Sequence, residues 1–209
     1  MNLKRSNNFD DVAKFYDSLA GLVFGKSMFR AQTSYLADIP AGAKVLILGG
    51  GTGWLLNELI KINSTCSIWY IESSSKMLEQ SVLNVQTSQR PIQFIHGTEA
   101  SIPSDIRYDV VITNFFLDLF ATESCDTIIK KIKSSLHPES KWIVTDFVNL
   151  SWWHAAMLKA MYIFFRLTCG IEASELPPWD RLFQEHGMAV RKSKFFYGKF
   201  IKTSILDVK

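Results

Sequence analysis

An apolar run, Lys44-Val45-Leu46-Ile47-Leu48, ends in Gly49-Gly50-Gly51-Thr52-Gly53 and passes at once into the helical pattern Trp54-Leu55-Leu56-Asn57-Glu58-Leu59-Ile60. A buried strand, a glycine-dense turn and a helix together form the opening unit of a parallel α/β sheet. Glycines are needed there because a side chain blocks close approach of a ligand to the backbone, and because a tight turn calls for positive φ. The helix points its first amides and its dipole at whatever fills the turn. A nucleotide-like ligand suits that place.

Spacing narrows the choice. A dinucleotide fingerprint would use Gly49 and Gly51 and then require a small residue where Trp54 stands. A phosphate-cradling loop would end in Gly-Lys-Ser/Thr, which is absent. What fits is G-x-G-x-G at Gly49, Gly51 and Gly53. Downstream, strand patterns at 67–71, 92–95, 108–113 and 141–147 alternate with helical patterns at 53–62, 74–85 and 122–136. Such alternation predicts βαβ units and a parallel sheet covered on both faces. Helices within 9–38 precede the sheet, and helices at 152–168 and 179–186 follow it. Two closing strands, 189–196 and 199–206, meet across Tyr197-Gly198 as a hairpin.

Composition excludes several classes. The net charge of +3 is too small to suggest nucleic acid, and the basic residues Arg191, Lys192, Lys194, Lys199 and Lys202 alternate with apolar ones like the wet side of a hairpin. Cys66, Cys125 and Cys169 lack the spacing of a zinc site or a disulfide framework, so no metal is expected. The first eight residues lack the apolar core of a signal peptide, and a reducing cytoplasm is the expected compartment. The most apolar window, 152–169, is interrupted by His154, Lys159 and Arg166, so no integral membrane segment is expected. The chain fits a single domain.

The glycine segment resembles the first motif of class I S-adenosylmethionine-dependent methyltransferases, V-L-D-L-G-C-G-T-G, with Ile47 where that family has an acid. Later segments match the family in order. Trp69-Tyr70-Ile71-Glu72 places an acid roughly 20 residues beyond the turn, where a carboxylate accepts the ribose hydroxyl protons. Ser73 to Met77 follows, where the family sets an apolar side chain against adenine. His96-Gly97-Thr98-Glu99 resembles its G-D-A-x-x-L-P, with Thr98 in the Asp position, so the adenine contact falls to Thr98, Glu99 or backbone. The Phe15-Tyr16-Asp17 segment is similar to the helix that covers the cofactor in small-molecule members, including quinone-biosynthesis C-methyltransferases.

The resemblance implies a Rossmann-like, doubly wound, seven-stranded sheet in the order 3-2-1-4-5-7-6 with strand 7 antiparallel. It divides the domain into an N-terminal cap (9–38), a cofactor core (44–147), a lid (150–180) and a closing hairpin (189–206). It implies S-adenosyl-L-methionine held by Tyr16, Gly49, Gly50, Gly51, Thr52, Gly53, Glu72, Ser73, Met77, Thr98, Glu99 and Asn114. Asn114 is equally readable as a loop residue holding its own turn.

The expected reaction is methylation of a small apolar or aromatic molecule, because 150–180 is rich in aromatics and Met and should cover the strand ends as a lid, although its helical apolar spacing more often means plain core. Phe15, Tyr16 and that lid are expected to wall the acceptor pocket. Methyl transfer relies on alignment and exclusion of water and does not demand a general base. Candidate proton acceptors are His154 and Asp146, with Asp118 and His96 behind them; a lone His beside two Trp is more often a packing residue than a catalytic one. Two other readings stay open: a cofactor-binding protein without turnover, and a nicotinamide-dependent oxidoreductase, against which Trp54 argues. The oligomeric state is not readable.

Overall fold

The computed structural model describes residues 21, 23–85 and 92–208. Seven strands form one sheet: β1 (Lys44–Leu48), β2 (Ser67–Glu72), β3 (Ile92–His96), β4 (Tyr108–Asn114), β5 (Leu136–Phe147), β6 (Met188–Phe196) and β7 (Ile201–Val208). Their order is β3-β2-β1-β4-β5-β7-β6. The β1–β2, β1–β4, β2–β3 and β4–β5 pairs are parallel, whereas β7 pairs antiparallel with β5 and β6. The expected topology is therefore the observed one, with β7 inserted beside β5 and not at the edge.

Period-two alternation explains how the sheet is covered. In β1, Val45 and Ile47 face one side, where Tyr70, Ile112 and Ile143 join the helix α2 (Trp54–Ile62) through Leu55, Leu56 and Leu59. Leu46 and Leu48 face the other, where Val111, Trp142 and Val144 meet α4 (Thr122–Lys133) and α6 (Trp179–Glu185). A third cluster sits at the carboxyl ends of the strands. It joins α1 (Lys26–Thr33), Met77 of α3 (Ser75–Asn84), Phe115, Phe147 and α5 (Trp152–Cys169).

Three differences from the sequence reading have local causes. Strand β5 begins before the expected 141 and begins irregularly: Tyr108 pairs with Leu136, and the next paired residues are Val110 and Lys141. Pro138 has no N–H to give a ladder. The Ser140 hydroxyl donates to the Tyr108 carbonyl at 2.8 Å, so the strand continues past the interruption. The closing turn is longer than two residues, because Tyr197, Gly198 and Lys199 all have positive φ, and β7 starts only at Ile201. Helix α4 ends at Lys133 and not at 136, the Ser135 hydroxyl donating to the Ile132 carbonyl at 2.6 Å. Within the N-terminal cap, Phe15 and Tyr16 lie outside the described residues.

Candidate active site

The glycine turn is shaped by its neighbours in two ways. Some positions are glycine for packing: a Cβ on Gly50 would stand 2.1 Å from the Tyr70 ring. On Gly53, with φ +87°, a Cβ would meet the Ser81 backbone Cα at 2.8 Å, so α2 and α3 approach only through glycine. Gly51 is different. Its φ is +67°, yet no atom of the described residues lies within 4 Å of a Cβ built there. That side of Gly51 opens on a cavity.

Gly51 is held on both sides. Its N–H donates to Glu72 Oε2 at 2.9 Å, and its carbonyl accepts from the Tyr70 hydroxyl at 2.9 Å. Glu72 Oε1 accepts from the Ser74 N–H at 2.8 Å, and Ser74 Oγ accepts from Met77 N–H at 3.2 Å to cap α3. One buried carboxylate at the end of β2 thereby fixes the glycine turn and the start of α3 together. A carboxylate offers about four acceptor directions, and with the Ser73 hydroxyl also donating to Oε1 at 3.4 Å one stays open to a ligand hydroxyl.

Two chambers meet at the turn. The first, of about 140 Å³, is lined by Gly49, Gly50, Gly51, Thr52, Glu72, Ser73, Met77 and Asn114. The second, of about 170 Å³, is lined by Ser73, Thr98 and Glu99. Phe116 lines both and divides them, its Cδ2 lying 2.7 Å from where a Gly49 Cβ would stand. Phe115 holds the left-handed region at φ 50°, which is uncommon for a bulky residue and marks a locally strained turn. That turn carries Phe116 back over the glycines.

The structure thus gathers every described candidate for cofactor binding except Gly53, which serves helix packing. Tyr16 lies outside the described residues. Asn114 is the most telling member, because its amide nitrogen and amide oxygen are both buried on the chamber wall with no partner among the described residues. Buried polar atoms of that kind call for a ligand or water. Met28 and Phe29 from α1, with Trp54, also line the first chamber, and Phe29 meets Trp54 edge-on at 4.5 Å. No motif spacing pointed to α1, and only its apolar period on the sequence marked it as a covering helix.

The proton-acceptor candidates are not brought to either chamber. His154 is buried, its Nδ1 accepting from Leu150 N–H at 3.0 Å and its Nε2 3.2 Å from the Gly198 carbonyl. With Nδ1 accepting, Nε2 carries the proton and donates. Asp146 is fully buried, and its oxygens accept from the N–H groups of Phe147 (2.8 Å), Leu117 (3.1 Å) and Asp118 (3.4 Å). Burial pushes the Asp146 carboxyl up to about 7 against those hydrogen bonds. Burial, and then the charge of Asp146, raises Asp118 well above the usual carboxylate range. His96 is tied to the Ser73 carbonyl at 2.9 Å.

The lid expectation also changes in detail. No residue of 150–180 lines either chamber. Leu158 and Tyr162 of α5 pack in the same cluster as Phe115 and Met77, behind the chamber wall. The segment instead forms a separate open groove of about 970 Å³.

Comparison with known proteins agrees with this geometry. Residues 45–139 match the family model described as "Methyltransferase domain". Among curated proteins, none matches the chain in sequence. Among solved structures, mitomycin 7-O-methyltransferase superposes with a TM-score of 0.68 at 17% identity over 88% of this chain and 55% of its own. Human N-acetylserotonin methyltransferase, solved with S-adenosylmethionine, gives 0.68 at 18% identity over 94% of this chain and 55% of its own. A chain from the complex of the Haloferax volcanii Trm112 methyltransferase activator with a putative methyltransferase gives 0.75 at 15% identity over 97% of this chain and 96% of its own. This chain therefore spans little more than half the length of the first and the human enzyme. Identities this low establish shared architecture alone. The sheet order, the inserted antiparallel β7 and these superpositions give the chain the Rossmann-like methyltransferase fold, with a match to the methyltransferase domain over 45–139.

Proposed function

We propose that this chain is an S-adenosyl-L-methionine-dependent methyltransferase whose acceptor is a small apolar or aromatic molecule. The observation that carries the reading is the convergence of the open face of Gly51, the Glu72 carboxylate, Met77 and the unpartnered Asn114 amide on one chamber. In this reading Glu72 accepts from a ribose hydroxyl, Met77 lies against adenine, and Thr98 or Glu99 reaches the adenine edge from the second chamber. Gly49, Gly50, Gly51 and Thr52 bring backbone alongside the ligand. When bound, S-adenosylmethionine supplies a sulfonium methyl as the electrophile. Asn114 sits at the end of β4, where it orients an acceptor with either amide atom. Met28, Phe29, Phe115 and Leu119 give the chamber apolar walls that exclude water and favour an apolar acceptor.

A second reading, cofactor binding without turnover, draws on one observation: Asp118, Asp146, His96 and His154 line neither chamber. Calorimetry with S-adenosylmethionine, followed by turnover assays over phenols, quinols and carboxylic acids beside RNA and peptide pools, separates the two. Glu72→Gln keeps an acceptor oxygen but loses the charge, and we expect its affinity to fall roughly tenfold. Full affinity in a folded Glu72→Gln protein refutes the ribose role. Binding without turnover on any pool supports the second reading, and turnover confined to RNA or peptide sinks the small-molecule one.

A further inference from the structure

Helix α5 has two apolar faces, and the described residues cover only one. His154, Leu158, Tyr162 and Cys169 are buried. On the opposite side Trp152 is 84% exposed, Ile163 54%, Phe164 40% and Leu167 82%, while Leu150, just before the helix, is 61% exposed. Positions 152, 156, 159, 160, 163, 164 and 167 recur at steps of three and four and so share one side of the helix. Ala156 and Ala160 leave room between the large side chains. The stripe also runs into the open groove, whose walls include Leu150, Ile163 and Leu167. Scattered exposed apolar residues are ordinary on a protein surface, but a contiguous apolar face marks a contact.

Charge selects what covers it. The charged residues of α5 are Lys159 and Arg166, with no Asp or Glu on the helix. Neither makes an ion pair among the described residues. On the far wall of the groove, Asp180 is already held by Lys202 at 2.7 Å, and Glu175 is the remaining acid. A second copy is a poor fit. A two-fold contact centred near Ile163 would set Lys159 of one copy towards Arg166 of the other, with no acid on either helix between them. An anionic surface with an apolar interior matches both the stripe and the cations. Long basic side chains reach from an apolar boundary to headgroup phosphates. No described helix is long and apolar enough to cross a membrane, so the helix would lie along the surface.

We propose that the outer face of α5 docks on an anionic lipid bilayer. Trp152, Ile163, Phe164 and Leu167 enter the boundary between headgroups and acyl chains, Lys159 and Arg166 contact headgroup phosphates, and the groove opens onto the acyl layer. This inference stands apart from the methyl-transfer reading and survives its failure.

Vesicle flotation tests it, with phosphatidylcholine alone and with added phosphatidylglycerol. The whole chain should float with the anionic vesicles, less so at high salt, and weakly with the neutral ones. Charge reversal in Lys159→Glu/Arg166→Glu should lower partitioning by about tenfold or more. Leu167→Asp and Trp152→Ser should abolish flotation while leaving the melting temperature and S-adenosylhomocysteine affinity unchanged, because both side chains stand in solvent. The proposal is overturned if the chain stays with the unbound fraction at low salt, or if flotation is indifferent to these variants. Sedimentation showing a dimer that Leu167→Asp dissociates would also overturn it, by naming a second copy as the cover.

Discussion

The glycine turn and the region around α5 both stand at the carboxyl ends of the strands, yet they treat polar and apolar atoms in opposite ways. At the turn, Gly51 N–H, Gly51 carbonyl, Ser74 N–H and Met77 N–H each find a named partner inside the chain. Beneath α5, Asp118 Oδ1 and the Tyr162 hydroxyl are buried without one among the described residues, and above it large apolar side chains stand in water. In the first region the backbone groups of the turn are satisfied by the chain itself, and the Asn114 amide on its wall is the exception. The second is stable because of its inner face and leaves its outer face unfinished. Requirements that the backbone imposes are met locally. Those of an acceptor or a surface are left open.

The largest effect that can test this contrast lies at Gly51. In Gly51→Val the new side chain enters the open chamber, and we expect S-adenosylhomocysteine affinity to fall by roughly a hundredfold, in line with about 3 kcal/mol of steric conflict. The backbone strain of a side chain at positive φ should cost only about 1–2 kcal/mol of folding stability. Calorimetry and denaturant titration separate the two, and undiminished affinity would remove the chamber as the cofactor site.

The next effect sharpens the other side. His154→Ala strands the Leu150 N–H and the Gly198 carbonyl, so unfolding free energy should drop by about 2 kcal/mol. Cofactor affinity should not move. A variant of full stability that had lost turnover would restore His154 as a participant in the chemistry.

The smallest effect is a pH slope. The unfolded chain ionises Asp146 above about pH 4, whereas the folded chain does so only near its raised value of about 7. Between those limits the folded state holds the extra proton, so stability is greatest at the acidic end and falls as pH rises through about 7. Asp118→Asn removes the neighbouring carboxyl, whose own raised titration adds to the same slope. The wild-type melting temperature should fall between pH 5 and pH 8 by on the order of 3 °C more than that of the variant. Parallel slopes would show that the buried pair does not set the pH dependence.

The same contrast explains what was legible in the sequence. The turn could be read because glycine is the residue that admits a ring at Gly50, a neighbouring backbone at Gly53 and a ligand at Gly51. Glu72 followed because a parallel β2 must end beside that turn, and the strand order came with the family pattern. Phe115 carried no such mark: nothing in Asn114-Phe115-Phe116 announces a left-handed Phe or a ring folded over Gly49. Histidine as a residue type suggests a proton acceptor, but the type says nothing of the partners that Leu150 and the distant Gly198 supply to His154. The aromatic run of 152–169 has the same composition whether it roofs a pocket, fills a core or faces outward, and only the exposure of Trp152 and Leu167 decides between them.

The insertion of β7 between β5 and β6 has a consequence in time. Residues 201–208 supply the strand that β5 and β6 both pair with, and most of that strand is buried. During synthesis, β1 to β5 are available long before their last neighbour, so the apolar free edge of β5 waits unpaired while α5, α6 and β6 emerge. Closing the sheet then depends on contacts distant in sequence, which are slow to form. The half-made sheet is the stage at which this chain most needs protection from aggregation, and loss of the residues up to Val208 would leave it there.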